Sequence, residues 1–248
     1  MHTVSCIFKE QTVSLSETSV LTQHAPNLWT LAHPLRLGLV EFDHVMTVVQ
    51  LDDDQLWIHS PVTYSPALAQ ALEALGTPAF FVAPNTFHDL YWKAWFEAYP
   101  QARFYAVPGV REAHTELPFT DVLTNKPPTE WRDAFDQHLV GGVPKINEIA
   151  FFHPASNSAI LTDLVFNYET DPGFNFATRC MLKMAGTYNR RCAVSRLLRL
   201  YLRDKAAVQR SIDEIADWDF ERLIVGHGQP LETKGHHALR QAYAFLSH

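Results

Sequence analysis

Histidine and carboxylate side chains are the residues of this chain best equipped for chemistry, as metal ligands or proton-transfer groups. Thirteen histidines are more than composition calls for, so position has to select among them. His227 stands between Gly226 and Gly228 at the end of the apolar run RLIVGHG, where glycine lets the backbone make an unusual turn that aims the ring inward. Asp163 follows the apolar run SAILT, a carboxylate at a strand end. His88 opens the aromatic segment HDLYWKAWFEAYP, where a histidine also serves as a helix cap. His59 ends the strand-like LWIH ahead of Ser60-Pro61. His114, His138, His236 and His237 have no supporting partner in sequence, and His153 falls at the far end of its strand from Asp163, so these read as structural. Asp52, Asp53 and Asp54 lack the spaced carboxylates and glycine of a calcium loop and read as a solvated turn.

The elements that must position these residues follow from periodicity. LWTLAH (28 to 33) and MTVVQL (46 to 51) read as strands, and the aspartate run that follows reads as a hairpin turn into LWIH. Ser65-Pro66 is an N-cap with proline at the first helical position, followed by the helical spacing of ALAQALEAL. AFFVA (79 to 83) reads as a buried strand, residues 88 to 100 as an aromatic amphipathic helix, and ARFYAVPG (102 to 109) as a further strand with a turn. Strand, helix, strand, helix, strand at this spacing is the rhythm of a layered α/β sheet with crossover connections. Residues 111 to 145 are largely irregular, with a helix expected at TEWRDAFDQHL. INEIAFFH (146 to 153), the turn PASN and SAILTDLVF (158 to 166) read as a hairpin. Periodicity predicts helix over 174 to 218, and HHALRQAYAFL reads as a closing helix.

Bulk properties narrow the class. The chain has 248 residues, 47% of them hydrophobic and 19% charged, with no low-complexity tract or internal repeat, as expected of one globular α/β domain. A formal charge of −7 argues against nucleic-acid binding, which needs a basic surface to neutralise phosphates. The start MHTVSCIFKE has no secretory pattern and no stretch approaches a membrane span, so a cytoplasmic protein with no membrane partner is expected. Cys6, Cys180 and Cys192 are odd in number and widely spaced, which fits a reducing compartment rather than a disulfide framework. From Arg179 to Lys205, eight Lys or Arg residues stand against the single Asp204. That stretch reads as a solvated face of cap helices, the alternative being contact with an acidic partner, membrane surface or anionic substrate, with Arg190 and Arg191 available to a substrate carboxylate or phosphate.

Three segments, FFVAPNTFHDLYWKAW, ILTDL and VGHGQP, resemble in order and spacing the metallo-β-lactamase superfamily, over roughly residues 28 to 246. The runs LWIHSP, VAPNTFH and ILTDL look more closely like a divergent branch of unassigned function. The resemblance implies an αββα sandwich, here with a helical cap at about 174 to 218. It also implies a degenerate H-x-H-x-D-H motif. With His88 in the last place, Ala83, Asn85 and Phe87 fill the first histidine, second histidine and aspartate places. The family's G-H-T segment corresponds to Gly141, Gly142 and Val143. Asp163 matches the aspartate that bridges two metals, and His227 the final histidine. The first-site ligands are therefore replaced together, while three of the four second-site ligands remain. Asn85 could add a weak amide-oxygen ligand.

What the resemblance implies is one divalent ion on His88, Asp163 and His227. Zinc comes first, with iron or manganese as alternatives, because neutral imidazole suits borderline metals. His59, at the same sheet edge, is a candidate fourth ligand or proton-transfer group, and Asp163 a candidate to orient the attacking water. The expected function is a mononuclear metal-dependent, hydrolase-like protein acting on a small ester, lactone, amide or phosphoester. The alternatives are a non-catalytic descendant that binds a small molecule or protein in the old site, and an iron protein that uses oxygen.

Overall fold

The computed structural model describes residues 21–247, so most of the polar opening segment, with Cys6, lies outside the described residues. Strands β1 (Thr22–Ala25), β2 (Leu28–Leu37), β3 (Val40–Gln50), β4 (Gln55–His59), β5 (Thr77–Ala83), β6 (Arg103–Ala106) and β7 (Asp121–Val122) form a seven-stranded sheet in sequence order. The later strands are β8 (Asp136–Leu139), β9 (Ile149–His153), β10 (Ser158–Ile160), β11 (Phe166–Tyr168), β12 (Arg190–Ala193) and β13 (Arg222–Ile224). Of these, β13-β10-β9-β8 make a second sheet, and β11 pairs with β12 in a two-stranded ribbon. The helices are α1 (Pro66–Glu73), α2 (Trp92–Ala98), α3 (Val110–Ala113), α4 (Phe176–Ala185), α5 (Arg196–Tyr201), α6 (Lys205–Ala216) and α7 (Gly235–Ala242).

The layering follows from side-chain alternation. On β9, Ile149 and Phe151 point into the core between the sheets, where Phe151 meets Trp57 and Phe135. Ala150, on the opposite face, packs with Val208, Ile212 and Leu239 of α6 and α7. On the far side of the first sheet, α2 buries Trp92 and Trp95 almost completely, with Trp95 against Phe81 and its indole N–H donating to the Val62 carbonyl. Burial of side chains this size is worth roughly 2–3 kcal/mol each. The result is the expected αββα sandwich. The hairpin from β3 to β4 turns through Asp52–Asp54 as expected, and β4, β5 and β6 run parallel through α1 and α2. Ser65 caps α1 by accepting the Leu68 N–H. Among the described residues no helix is long and apolar enough to cross a membrane.

Four expectations change. TEWRDAFDQHL is a turn followed by strand β8, because pairing of Asp136–Leu139 with β9 outweighs a weak helical pattern. The region 174 to 218 is interrupted by β12, which pairs with β11, and α6 forms part of the outer layer on the second sheet. The aromatic helix starts at Trp92 and not at residue 88, since Tyr91 is left-handed and Asn85 holds the preceding turn. Strand β10 ends at Ile160, so Asp163 lies in the turn beyond it.

Candidate metal centre

Three of the four candidate residues converge. Donor atoms of His88, Asp163 and His227 all lie within 4.8 Å of one another, and the three residues are buried. His227 Nε2 is 3.0 Å from Asp163 Oδ1, His88 Nε2 is 3.6 Å from Asp163 Oδ2, and the two Nε2 atoms are 3.3 Å apart. Each ring is held through its other nitrogen. His227 Nδ1 lies 2.5 Å from the Asp43 carbonyl, and His88 Nδ1 lies 2.5 Å from Ser60 Oγ. In the tautomers where both Nδ1–H groups donate, both Nε2 lone pairs face the common point. This is the usual arrangement of a metal-ligating imidazole. Two imidazoles and a carboxylate, buried and oriented from behind, therefore fit a single divalent ion of the zinc, iron or manganese type.

The turn around His227 explains its glycines. At Gly226 a Cβ would come within 2.9 Å of Thr162 Cα and 3.0 Å of His88 Cε1, so only glycine lets the His88 ring approach. Gly228 has φ +94°, and a Cβ there would lie 2.1 Å from the Asn167 carbonyl oxygen. The Val45 N–H donates to the Gly226 carbonyl and ties this turn to β3. Phe166 stacks on the His227 ring at 4.8 Å.

Glu148, a residue that the sequence does not single out, organises the Asp163 turn. Its carboxylate accepts the N–H groups of Thr162 (2.7 Å), Asp163 (2.8 Å) and Leu164 (3.2 Å). Asn85 donates through Nδ2 to Asp163 Oδ2 at 2.9 Å, Thr162 Oγ1 at 2.8 Å and Glu148 Oε2 at 3.1 Å. Its Oδ1 accepts the Phe87 and His88 N–H groups. The expected weak Asn85 ligand is thereby corrected: its oxygen is spent on the backbone, and its amide nitrogen meets the aspartate oxygen.

The electrostatics follow from burial and from these pairs. Burial alone would raise the Asp163 pKa, but His88 and His227 outweigh it and hold the carboxyl well below the usual range. Burial pulls His227 down, while its hydrogen bond to Asp163 and that residue's charge carry it above the ordinary histidine value. Glu148 is pushed up, first by burial and then by the charge of Asp163. His44, a second residue without a sequence flag, is buried against Ser60, with Nε2 2.9 Å from Ser60 Oγ, and its ring lies 4.6 Å from that of His88. Burial holds its pKa well below the ordinary value. A polar residue placed within an apolar, strand-like run is the one signal that marks both Glu148 in INEIAFFH and His44 in FDHVMTV.

His59 is not brought to the three converging residues. Strand alternation places it with Trp57 in the core between the sheets, stacked on Trp57 at 5.3 Å and edge-on to Phe151 at 5.7 Å. Among the described residues neither ring nitrogen meets a partner, and burial pushes its pKa well down. Arg190 and Arg191 lie on β12 and line a cavity of about 420 Å³ with Cys192, Arg199, Gln241 and Phe245, a set that contains none of the three converging residues.

A buried His-Asp-His group at one edge of an αββα sandwich is the class of protein that fold and site together define, and solved metallo-β-lactamases share the fold. One from Erythrobacter litoralis, with β-mercaptoethanol in its active site, superposes with a TM-score of 0.66 at 15% identity, covering 94% of this chain and 98% of that one. The corresponding figures for the enzyme from Hirschia baltica are 0.62 and 12%, over 92% and 97%, and for that from Pontibacter korlensis 0.62 and 8%, over 92% and 98%. At these identities the likeness is one of fold. The chain belongs to the family described as Domain of unknown function (DUF4336), whose model matches residues 26–185. That match includes His88 and Asp163 and ends ahead of His227. No curated protein matches the sequence significantly.

Proposed function

We propose that the protein is a mononuclear metal-dependent hydrolase, with one ion on His88, Asp163 and His227, acting on a small ester, lactone, amide or phosphoester. The convergence of three buried donor atoms within 4.8 Å carries this reading. A divalent ion there supplies Lewis acidity and a water acidified toward neutral pH. The chain does the rest. Ser60 and the Asp43 carbonyl fix the two imidazoles with Nε2 inward, and Glu148 shapes the turn that presents Asp163. Asp163 orients the attacking water, and Asn85 steadies its Oδ2.

One observation favours the binding-module reading instead. His227 Nε2 and Asp163 Oδ1 lie 3.0 Å apart, so the two side chains can bond to each other in place of an ion. Elemental analysis of protein purified without chelator separates the two. The hydrolase reading expects about one ion per chain, lost in Asp163→Ala and His227→Ala, with hydrolysis across a panel of the four bond types abolished by chelation. Failure to find a metal, or to bind zinc, iron or manganese on titration, overturns it.

A further inference from the structure

Between Pro172 and Arg203 the chain carries seven Lys or Arg residues and no Asp or Glu, although its formal charge is −7 overall. The same segment holds large apolar side chains that the fold leaves in solvent: Phe176 is 82% exposed, Leu200 75%, Met184 69% and Leu197 51%. On α4, Phe176, Lys183 and Met184 fall within an arc of about 100° at ~100° per residue, opposite the buried Leu182 and Thr178. On α5 only Leu198 is buried, so Arg196, Leu197 and Leu200 face outward. These are helices whose outer faces mix cations with apolar tips.

Contacts join the two helices into one surface. Arg196 Nη1 donates to the Met184 carbonyl and binds the start of α5 to the end of α4. Asn175 Nδ2 donates to the Leu39 carbonyl, and Thr178 bonds both backbone groups of Glu41, so the tip of the β2–β3 hairpin, with Leu39 84% exposed, adjoins α4. At the other end Tyr201 meets Phe87, the neighbour of His88. Arg179 pairs with Asp171, and Arg191 stands 3.8 Å from Glu169. Among the described residues no carboxylate comes within ion-pair range of Lys183, Arg190, Arg196, Arg199 or Arg203.

We propose that this face docks on an anionic lipid bilayer, with Leu39, Phe176, Met184 and Leu200 entering the headgroup region and the cations meeting lipid phosphate or carboxylate. Apolar tips ringed by unpaired cations are the combination that an interfacial surface uses. A nucleic acid would need the charge but not the exposed leucines, phenylalanine and methionine. A second copy in a symmetric contact would set the same cations against each other. The docking is peripheral and departs from the expectation of no membrane partner; among the described residues no helix is long and apolar enough to span a bilayer.

The test is co-sedimentation of the full chain with vesicles of phosphatidylcholine alone or mixed with phosphatidylglycerol. Binding is expected only with the anionic mixture, and it should fall away at about 0.5 M salt as screening shortens. Each of Arg196→Gln and Arg199→Gln should lower partitioning about fivefold. The double substitution Phe176→Glu with Leu200→Glu should abolish it, and because both residues are exposed the thermal midpoint should hold. Equal binding to neutral vesicles, indifference to these substitutions, no sedimentation at all, or self-association lost in the double variant would each overturn the proposal.

Discussion

Two sets of positions at the same sheet edge have opposite fates. His88, Asp163 and His227 carry ligand-type side chains, and each is braced from behind by Ser60, Glu148 or the Asp43 carbonyl. Ala83, Asn85, Phe87 and Gly142, where the sequence resemblance would expect further ligands, are built into the fold in other ways. Ala83 is fully buried on β5, and Phe87 turns outward to Tyr201. Asn85 is absorbed into the Glu148 and Asp163 network. Gly142 has φ +82° beneath the start of α6, where a Cβ would lie 2.3 Å from the Asp204 carbonyl oxygen. The difference teaches that the substituted half is a set of filled positions, with an asparagine N–H on the aspartate oxygen. At Gly142 a histidine should fail for steric reasons.

The largest expected effect lies in what supports the retained set. Glu148→Ala leaves three buried N–H groups unpaired and should cost about 3–5 kcal/mol in denaturant unfolding. A loss under about 1 kcal/mol would mean that the turn stands without its carboxylate. Next, Gly142→His should destabilise by about 3 kcal/mol and add no metal, because α6 must move to admit any side chain. A second bound ion in that variant would break the comparison outright.

Part of the acid sensitivity should arise away from both sets. His153, across the hairpin from Ser158, has its pKa lowered to about 4 by burial, so the fold holds it neutral while the unfolded chain protonates near the ordinary value. Its contribution is present in full above about pH 6.5 and is lost as pH falls toward 4. The difference in unfolding free energy between pH 7 and pH 4 should shrink by about 2 kcal/mol in His153→Gln. An unchanged pH slope would assign the acid response to other buried groups, such as His44 or His59. The smallest effect is expected of Ser60→Ala, which removes the brace on His88 Nδ1 but leaves the ligand. Metal affinity should fall about tenfold, and because Ser60 Oγ also bonds the buried His44 the metal-free protein should lose about 1 kcal/mol.

Much of the scaffold was legible because it rests on local rules. Ser65-Pro66 reads as a helix start in any context, the alternation through β3 and β4 announces two-faced burial, and the glycines around His227 announce a turn that other residues cannot make. The segment at Asp136–Leu139 was misread because its strand state comes from pairing with β9, a partner across the chain. β12 was hidden within helical periodicity for the same reason, since it exists through β11. Glu148 and His44 escaped notice as polar residues in apolar strands, and their use becomes visible only when the turns they serve are folded beside them.

The sequence by itself determined the alternation of strands and helices and the caps, because periodicity and capping chemistry are local properties, while the choice of His88, Asp163 and His227 rested on resemblance to a family. Tertiary structure alone decided that those three converge, that His59 faces the core, and that Asn85 and Glu148 take over the substituted side. Each of those outcomes depends on which strands lie next to each other and on which buried polar atoms must then find partners.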